Sequence, residues 1–259
     1  MDVAAVGSAP ASLRQARRAA FGDFSYPRVV EARRSWVRAR GDLIAFLLAL
    51  AIACSTAFIL ERSSRLTFIY DDWDLLVNRQ SWSPGSFLDP YNEHIVLGPV
   101  IVFKFLVTTF GMNSAVPFRM AGLLLFMASA VLLFLWLRRR VGDWGALIGA
   151  CLIVFLGASF ENLLWPVQVA YFGSVAGGLG MLIALDRDDR LGDRVACGLL
   201  IVSMAFSSLG FAFLAGAIVE LGLNRRSKLE RLYVIALPAA LTFLWWAGWA
   251  IPRKARCFP

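Results

Sequence analysis

Three carboxylates fall within four residues in the stretch Phe68-Ile69-Tyr70-Asp71-Asp72-Trp73-Asp74. Adjacent acids repel one another, so a carboxylate here can have a raised pKa and serve as a general base, or the pair can hold a divalent cation. The same residues also suit a simpler task, because aspartates at the start of a short helix satisfy its free N–H groups. Tyr70 and Trp73 frame the acids with rings suited to a membrane–water boundary. Twenty residues on, Glu93 precedes His94, the single histidine of the chain. That pair can orient a phosphate or share a proton, and a lone histidine equally serves as an ordinary surface residue.

The elements that must position these groups are apolar. The 259 residues are 59% hydrophobic and 17% charged, with a mean hydropathy of +0.65, too little polar surface to cover a water-soluble core of this size. The bilayer is the expected solvent. A net charge of +8 would suit nucleic acid, but the arginines cluster beside apolar segments as in the positive-inside pattern of membrane proteins, so no nucleic-acid partner is expected. Cys54, Cys151, Cys197 and Cys257 show no spacing for a zinc site or a disulfide framework.

Residues 1–42 carry eight arginines and read as a cytoplasmic tail, with 28–40 able to form a short helix on anionic lipid. Leu43 to Leu60 is an apolar run long enough to span a bilayer. Residues 61–114 form an external loop whose first part, Glu61 to His94, holds six acids against three arginines. Ile95 to Phe110 is apolar but short, broken by Gly98-Pro99, and carries Lys104. Further spans are expected at Ala115–Leu137, Trp144–Ala158, Val167–Leu185 and Leu232–Ala250. Val195–Leu223 reads as a hairpin turning at Ser207 to Gly210, with a single tilted helix as the alternative.

Charge decides whether Ile95–Phe110 crosses. If it lies along the outer interface, the basic residues at 138–140, 187–194 and 225–231 join the tail on the cytoplasmic face; if it crosses, the bias reverses. The expected fold is therefore an all-α polytopic bundle of about seven crossings. Its N terminus is cytoplasmic and an interfacial helix lies in the first external loop, with residues 43–250 as the transmembrane module and 251–259 as a short tail.

Lys104 and Arg119 then sit at the outer interface, either snorkelling to headgroups or clamping a lipid-linked phosphate. A second external segment offers Glu161 and Asn162, with Gln168 just beyond, as helix caps or as another wall of the same site. Gly173, Gly177, Gly178 and Gly180 are explained by close helix packing, since no strand precedes them for a nucleotide loop.

This order of parts resembles the lipid-dependent membrane glycosyltransferases of the GT-C superfold. The shared features are a first span, an external loop opening on an aromatic and two acids, Phe110-Gly111-Met112-Asn113-Ser114 before Arg119, and a span closed by Arg138-Arg139-Arg140. Protein O-mannosyltransferases and lipid A aminoarabinose transferases are the members it looks most like. Where the family carries His-Pro-Pro or Lys-Pro-Pro, this chain has Glu93-His94-Ile95; where it often has a Lys-Gly turn, this chain has Ser207-Ser208-Leu209-Gly210.

The resemblance implies an inverting glycosyltransferase in the membrane, bacterial plasma membrane by analogy, taking a sugar from a polyprenyl-phosphate donor on the non-cytosolic face. Asp71 and Asp72 map onto the family's catalytic acids and would hold a divalent cation if one takes part. From the residues themselves, Lys104 and Arg119 are the candidates for binding the donor phosphate, and Trp73, Asp74, Glu93, His94, Glu161 and Gln168 for binding the substrate. Members are usually longer, so a truncated form lacking the C-terminal part is expected. The alternatives are a transporter or flippase segment, which would need ionisable residues at mid-membrane, and a non-catalytic scaffold or remnant.

Overall fold

The computed structural model describes the backbone of residues 26–92, 94–156, 163–223 and 228–250. Among these the fold is helical, with no extended pairing beyond a single bridge between Tyr91 and His94. Four helical segments are long and apolar enough to cross a membrane: 40–63, 116–154, 166–185 and 233–250. The chain clusters into two units, 1–45 and 46–259. Helix α1 covers Tyr26–Ser63, so the tail expected over 1–42 is helical from Tyr26 onward.

Within the second unit, α1 is followed by a loop containing a π-turn at Asp74–Asn78 and the short α2 (Pro84–Leu88). Then comes α3 (Leu97–Phe110), 14 residues long and thus about 21 Å at 1.5 Å per residue, short for a bilayer. One face of α3 is buried through Val100, Phe103 and Leu106, while Ile101, Phe105 and Phe110 are exposed. That burial forms the core beneath the acidic loop, where Val100 and Phe103 cluster with Phe68, Leu75, Leu76, Phe118 and Val169. The Phe118 ring packs against Phe68 at 5.0 Å and Phe103 at 5.1 Å, both tilted well away from parallel.

Helix α4 (Val116–Val154) opens with Pro117, harmless where the first N–H groups have no helical partner, and is broken at Gly142, whose φ of 79° is open to glycine. The chain reverses there. A Cβ on Gly149 would lie 2.6 Å from the Leu137 side chain, a contact a straight helix would separate by about 18 Å. Arg138 bonds Asp143 across the turn at 2.5 Å.

Helices α5 (Val169–Leu185) and α6 (Arg190–Phe206) pack closely over the glycines expected to do so. A Cβ on Gly177 would meet the backbone of Leu199 and Ser203 at 3.0 Å, and Ser174 and Ser203 hydroxyls bond at 3.1 Å between the helices. The Phe206 ring fills the space left by both Gly98 and Gly173. Asp189 caps α6 by accepting from Gly192 N–H. The run 195–223 is two helices, broken at Ser207–Leu209 before α7 (Gly210–Leu223), with Gly210 against the Met204 backbone. The short α8 (Lys228–Arg231) leads into α9 (Tyr233–Trp245) and a final π-turn at Trp246–Ala250. Trp245 Nε1 donates to the Leu88 carbonyl at 2.7 Å, tying the end of α9 to the acidic loop.

Candidate functional site

The loop after α1 is shaped by a cation. Arg119, in the first turn of α4, is buried and directs its guanidinium at four backbone carbonyls: Nε to Leu164, Nη1 to Ser63, and Nη2 to Leu66 and Thr67. These include groups left without helical partners where α1 ends, so Arg119 caps α1 and turns the chain across the top of α4. Beyond it, Tyr70 adopts φ 42° and stands exposed, its ring edge-on to Trp165, while Trp165 Nε1 donates to the Ile69 carbonyl at 3.2 Å.

This turn separates the adjacent acids. Asp72 is fully buried; Oδ2 accepts from Ile69 N–H at 3.0 Å and Oδ1 from Val167 N–H at 2.8 Å. Burial pushes its carboxyl up to about 6, against the lowering effect of those two bonds and of Arg119, with Asp71 adding to the rise. Asp72 is thereby a clasp between the loop and the entry to α5, 95 residues away. Asp71 is only partly buried. The Tyr91 phenol lies against its carboxylate, and burial together with Asp71 and Asp74 holds that phenol protonated well above its ordinary range. Of the two acids, Asp71 is the one that faces outward with a polar partner.

Asp74 has a different task. It accepts from Asn78 Nδ2 at 2.9 Å and pairs with Arg79 at 3.1 Å. Arg79 is itself buried and donates to the carbonyls of Asp89 at 2.9 Å and Ser86 at 3.4 Å, folding α2 back onto the π-turn. Lys104 completes this framework from α3: its Nζ donates to the carbonyls of Arg79 and Ser81 and lies 5.1 Å and 4.8 Å from the Trp82 and Phe87 ring centres. Burial and the nearby Arg79 charge lower the Lys104 ammonium below its ordinary range.

Lys104 and Arg119, offered by the sequence as a phosphate clamp, thus direct their hydrogen bonds to backbone carbonyls and hold the loop. Two cations nearby are exposed, Arg62 at the end of α1 and Arg65 just after it, and the Arg62 guanidinium lies 5.2 Å from the Phe58 ring centre. Arg62 stands in the wall of an apolar groove of about 700 Å³ formed with Phe58, Ile59, Val154, Leu163 and Leu164. The Leu163–Leu164 wall runs directly into Trp165 and Val167, which hold Ile69 and Asp72.

Trp73 is exposed and packs edge-on to Phe68 at 5.8 Å. Gln168 is buried in the 3-10 turn Pro166–Gln168, directly after Val167. His94 is exposed and joined to Tyr91 by backbone bonds of 2.8 and 3.0 Å; its side chain opens onto a second cavity of about 410 Å³ with Ser208, Phe211 and Trp246. Glu93 and Glu161 lie outside the described residues. Among the described residues no three His, Cys, Asp or Glu side chains converge as for a metal. Asp72, buried with each oxygen bonded to an N–H, leaves no face for a cation shared with Asp71, so the divalent-cation option does not fit this pair.

Sequence reasoning passed over Tyr91, Arg79, Trp165 and Arg62. Pro90-Tyr91-Asn92 is a turn signal, with Asn92 at φ 44°, and so was a legible place for a side chain to be aimed back at the acids. No protein-family model matches the chain, and neither a curated protein nor a solved structure matches it.

Proposed function

We propose that the chain is a membrane glycosyltransferase of the GT-C kind, transferring a sugar from a polyprenyl-phosphate donor to an acceptor hydroxyl on the non-cytosolic face. The observation that carries this reading is the division of labour at Asp71-Asp72: Asp72 is a buried clasp, and Asp71 is presented to the outside against the Tyr91 phenol. The helices cross the bilayer about seven times, with the reversals at Gly142 and at Ser207–Leu209 each separating two crossings. Helix α3 lies along the outer interface, its exposed Ile101, Phe105 and Phe110 toward lipid.

In the proposed reaction the acceptor hydroxyl gives its proton to Asp71 as its oxygen attacks the anomeric carbon from the face opposite the donor phosphate. The bond from that carbon to the phosphate oxygen breaks, the phosphate leaves with the electron pair, and the configuration inverts. Tyr91 orients the Asp71 carboxylate. The isoprenoid chain lies in the apolar groove of about 700 Å³, and Arg62 at its edge meets the charge on the leaving phosphate. Trp73, exposed beside Asp71, offers a flat face to the sugar.

The test is transfer of labelled sugar from a synthetic polyprenyl-phosphate donor in oriented vesicles containing the full chain. Transfer when the donor faces the side opposite the N terminus supports the reading. Donor binding without transfer would favour a non-catalytic lipid-binding role, and movement of the intact donor across the bilayer would favour a flippase.

A further inference from the structure

A tight turn from Tyr91 to His94 closes the acidic loop. These two residues exchange both of their backbone bonds, at 3.0 and 2.8 Å, and residues paired in that way stand about 5.5 Å apart at Cα with their side chains starting from one face. From there the side chains divide. The Tyr91 phenol lies against the Asp71 carboxylate, and His94 lines the cavity of about 410 Å³. The cavity therefore adjoins Asp71 through one bonded pair of residues. The groove given to the isoprenoid chain reaches the acidic stretch by another route, through Trp165 at Ile69 and Val167 at Asp72.

Three segments build the cavity, and each is fixed. Beside the Tyr91–Ile95 segment, the turn between α6 and α7 supplies Ser208 and Phe211; it is closed by the N–H groups of Gly210 and Phe211, which donate to the Ser207 and Ser208 carbonyls at 3.0 Å. The end of α9 supplies Thr242, Phe243 and Trp246. It is held by Trp245 Nε1 on the Leu88 carbonyl at 2.7 Å and by Thr242 Oγ1 on the Met204 sulfur at 3.8 Å. The space is thus already formed, and its size lies in the range of small-molecule sites, about 300–1,000 Å³.

The lining selects the occupant. Phe211, Phe243 and Trp246 remain exposed, with the last two ring centres 6.2 Å apart, and offer their faces to an apolar body. The His94 imidazole and the Ser208 hydroxyl also open on this space, with no hydrogen-bond partner among the described residues, whereas Thr242 Oγ1 and Trp245 Nε1 are spent on protein carbonyls. A hydroxyl group, which donates and accepts, satisfies either of the free side chains. Among the described residues no Lys or Arg lines the cavity, in contrast to Arg62 at the isoprenoid groove, so a phosphate meets no fixed cation here.

We infer that this cavity binds the acceptor of the proposed transfer, an uncharged amphiphile whose apolar part lies between Phe211, Phe243 and Trp246 and whose hydroxyls meet His94 and Ser208, the end nearest Asp71. The acceptor role rests on the transferase reading; the binding of a neutral amphiphile does not.

The test uses His94 as its own reporter. It is the single histidine of the chain, so the full chain carrying isotope-labelled histidine, without a histidine tag and in phosphatidylcholine nanodiscs, gives one imidazole signal by NMR. The probe is hexyl glucoside, compared with hexyl phosphate, which has the same chain and a charged head. A saturable shift of the His94 signal is expected with the glucoside at lower concentration than with the phosphate; no saturable shift, or equal affinity for both, would overturn the site. Phe243→Ala should weaken glucoside binding about three- to tenfold, the worth of one aromatic contact. Phe105→Ala, which removes an equally exposed ring from α3 outside the cavity, should leave it unchanged, and equal losses in both variants would show general partitioning and overturn the site. The signal needs no turnover, so the two readings fail separately. Sugar transfer with an unmoved His94 signal would overturn the cavity and keep the transferase, and a saturable shift in a chain that transfers no sugar would keep the cavity and overturn its acceptor role.

Discussion

Arg119→Met separates a cation that builds the loop from one that binds substrate. Four carbonyl oxygens lose a donor: Ser63, Leu66, Thr67 and Leu164. Ser63 keeps the Leu66 N–H at 3.0 Å, and Leu66 and Thr67 belong to exposed residues and can find water, whereas Leu164 is half-buried. A bond from a charged donor is worth about 1.5–3 kcal/mol, and one that is not replaced sets the size of the loss. For a chain of this size that is on the order of a 5 °C fall in Tm. The assay is thermal unfolding of the detergent-solubilised chain followed by tryptophan fluorescence, with Arg119→Lys as companion; the single ammonium cannot reach all four carbonyls and should recover only part of the loss. If Arg119→Met leaves Tm unchanged while weakening donor binding, Arg119 is a phosphate ligand and the carbonyl-capping account is wrong.

Three further outcomes follow from the same geometry. Because burial raises the Asp72 carboxyl from 3.8 to about 6, the folded state prefers it protonated, and the wild type should lose up to about 3 kcal/mol of stability as pH rises from about 4 through 6 and then level off. Asp72→Asn should flatten that slope in a pH series of melting curves, and an unchanged slope would remove Asp72 as its source. Lys104→Met should open the segment 79–90 to protease and hydrogen exchange, leaving the helices protected, since Nζ bonds the carbonyls of Arg79 and Ser81. Gly173→Ala, whose Cβ would fall 2.1 Å from the Phe206 ring, should cost about 1–3 kcal/mol by overpacking; the cost should shrink in a Phe206→Leu background, and full additivity of the two changes would rule out the contact.

Features of the fold that depend on local composition were legible in the sequence. The apolar runs marked the four helices long and apolar enough to cross a membrane, the Arg138–Arg140 cluster marked the approach to the reversal at Gly142, and Ser207 to Gly210 marked the break between α6 and α7. The glycines of α5 announced its close packing on α6. The start of α1 at Tyr26 was less legible, because an Arg-rich stretch with alternating alanines reads equally as a tail or as a polar helix.

The site was legible as a place but not as an arrangement. Asp71 and Asp72 look equivalent in sequence; what distinguishes them is Val167, whose N–H claims one of the pair from 95 residues away. Likewise Lys104 and Arg119 read as interfacial cations because nothing local shows that unpaired carbonyls, at the end of α1 and in the loop around Ser81, lie within their reach. Long side chains with many donors are where sequence-level reasoning about charge is weakest, since a carbonyl cluster and a phosphate present them with similar chemistry.

The central claim is that Asp71, and not its buried neighbour, takes the proton. It is tested most directly by comparing Asp71→Asn with wild type for sugar transfer from a labelled polyprenyl-phosphate donor, at equal protein in the same membranes, with Tm measured in parallel. The account predicts a fall in transfer of about 10²–10⁴-fold, the usual contribution of a general base, with Tm unchanged because the partly exposed Asp71 carboxylate clasps no backbone. Transfer at the wild-type rate by Asp71→Asn would contradict it.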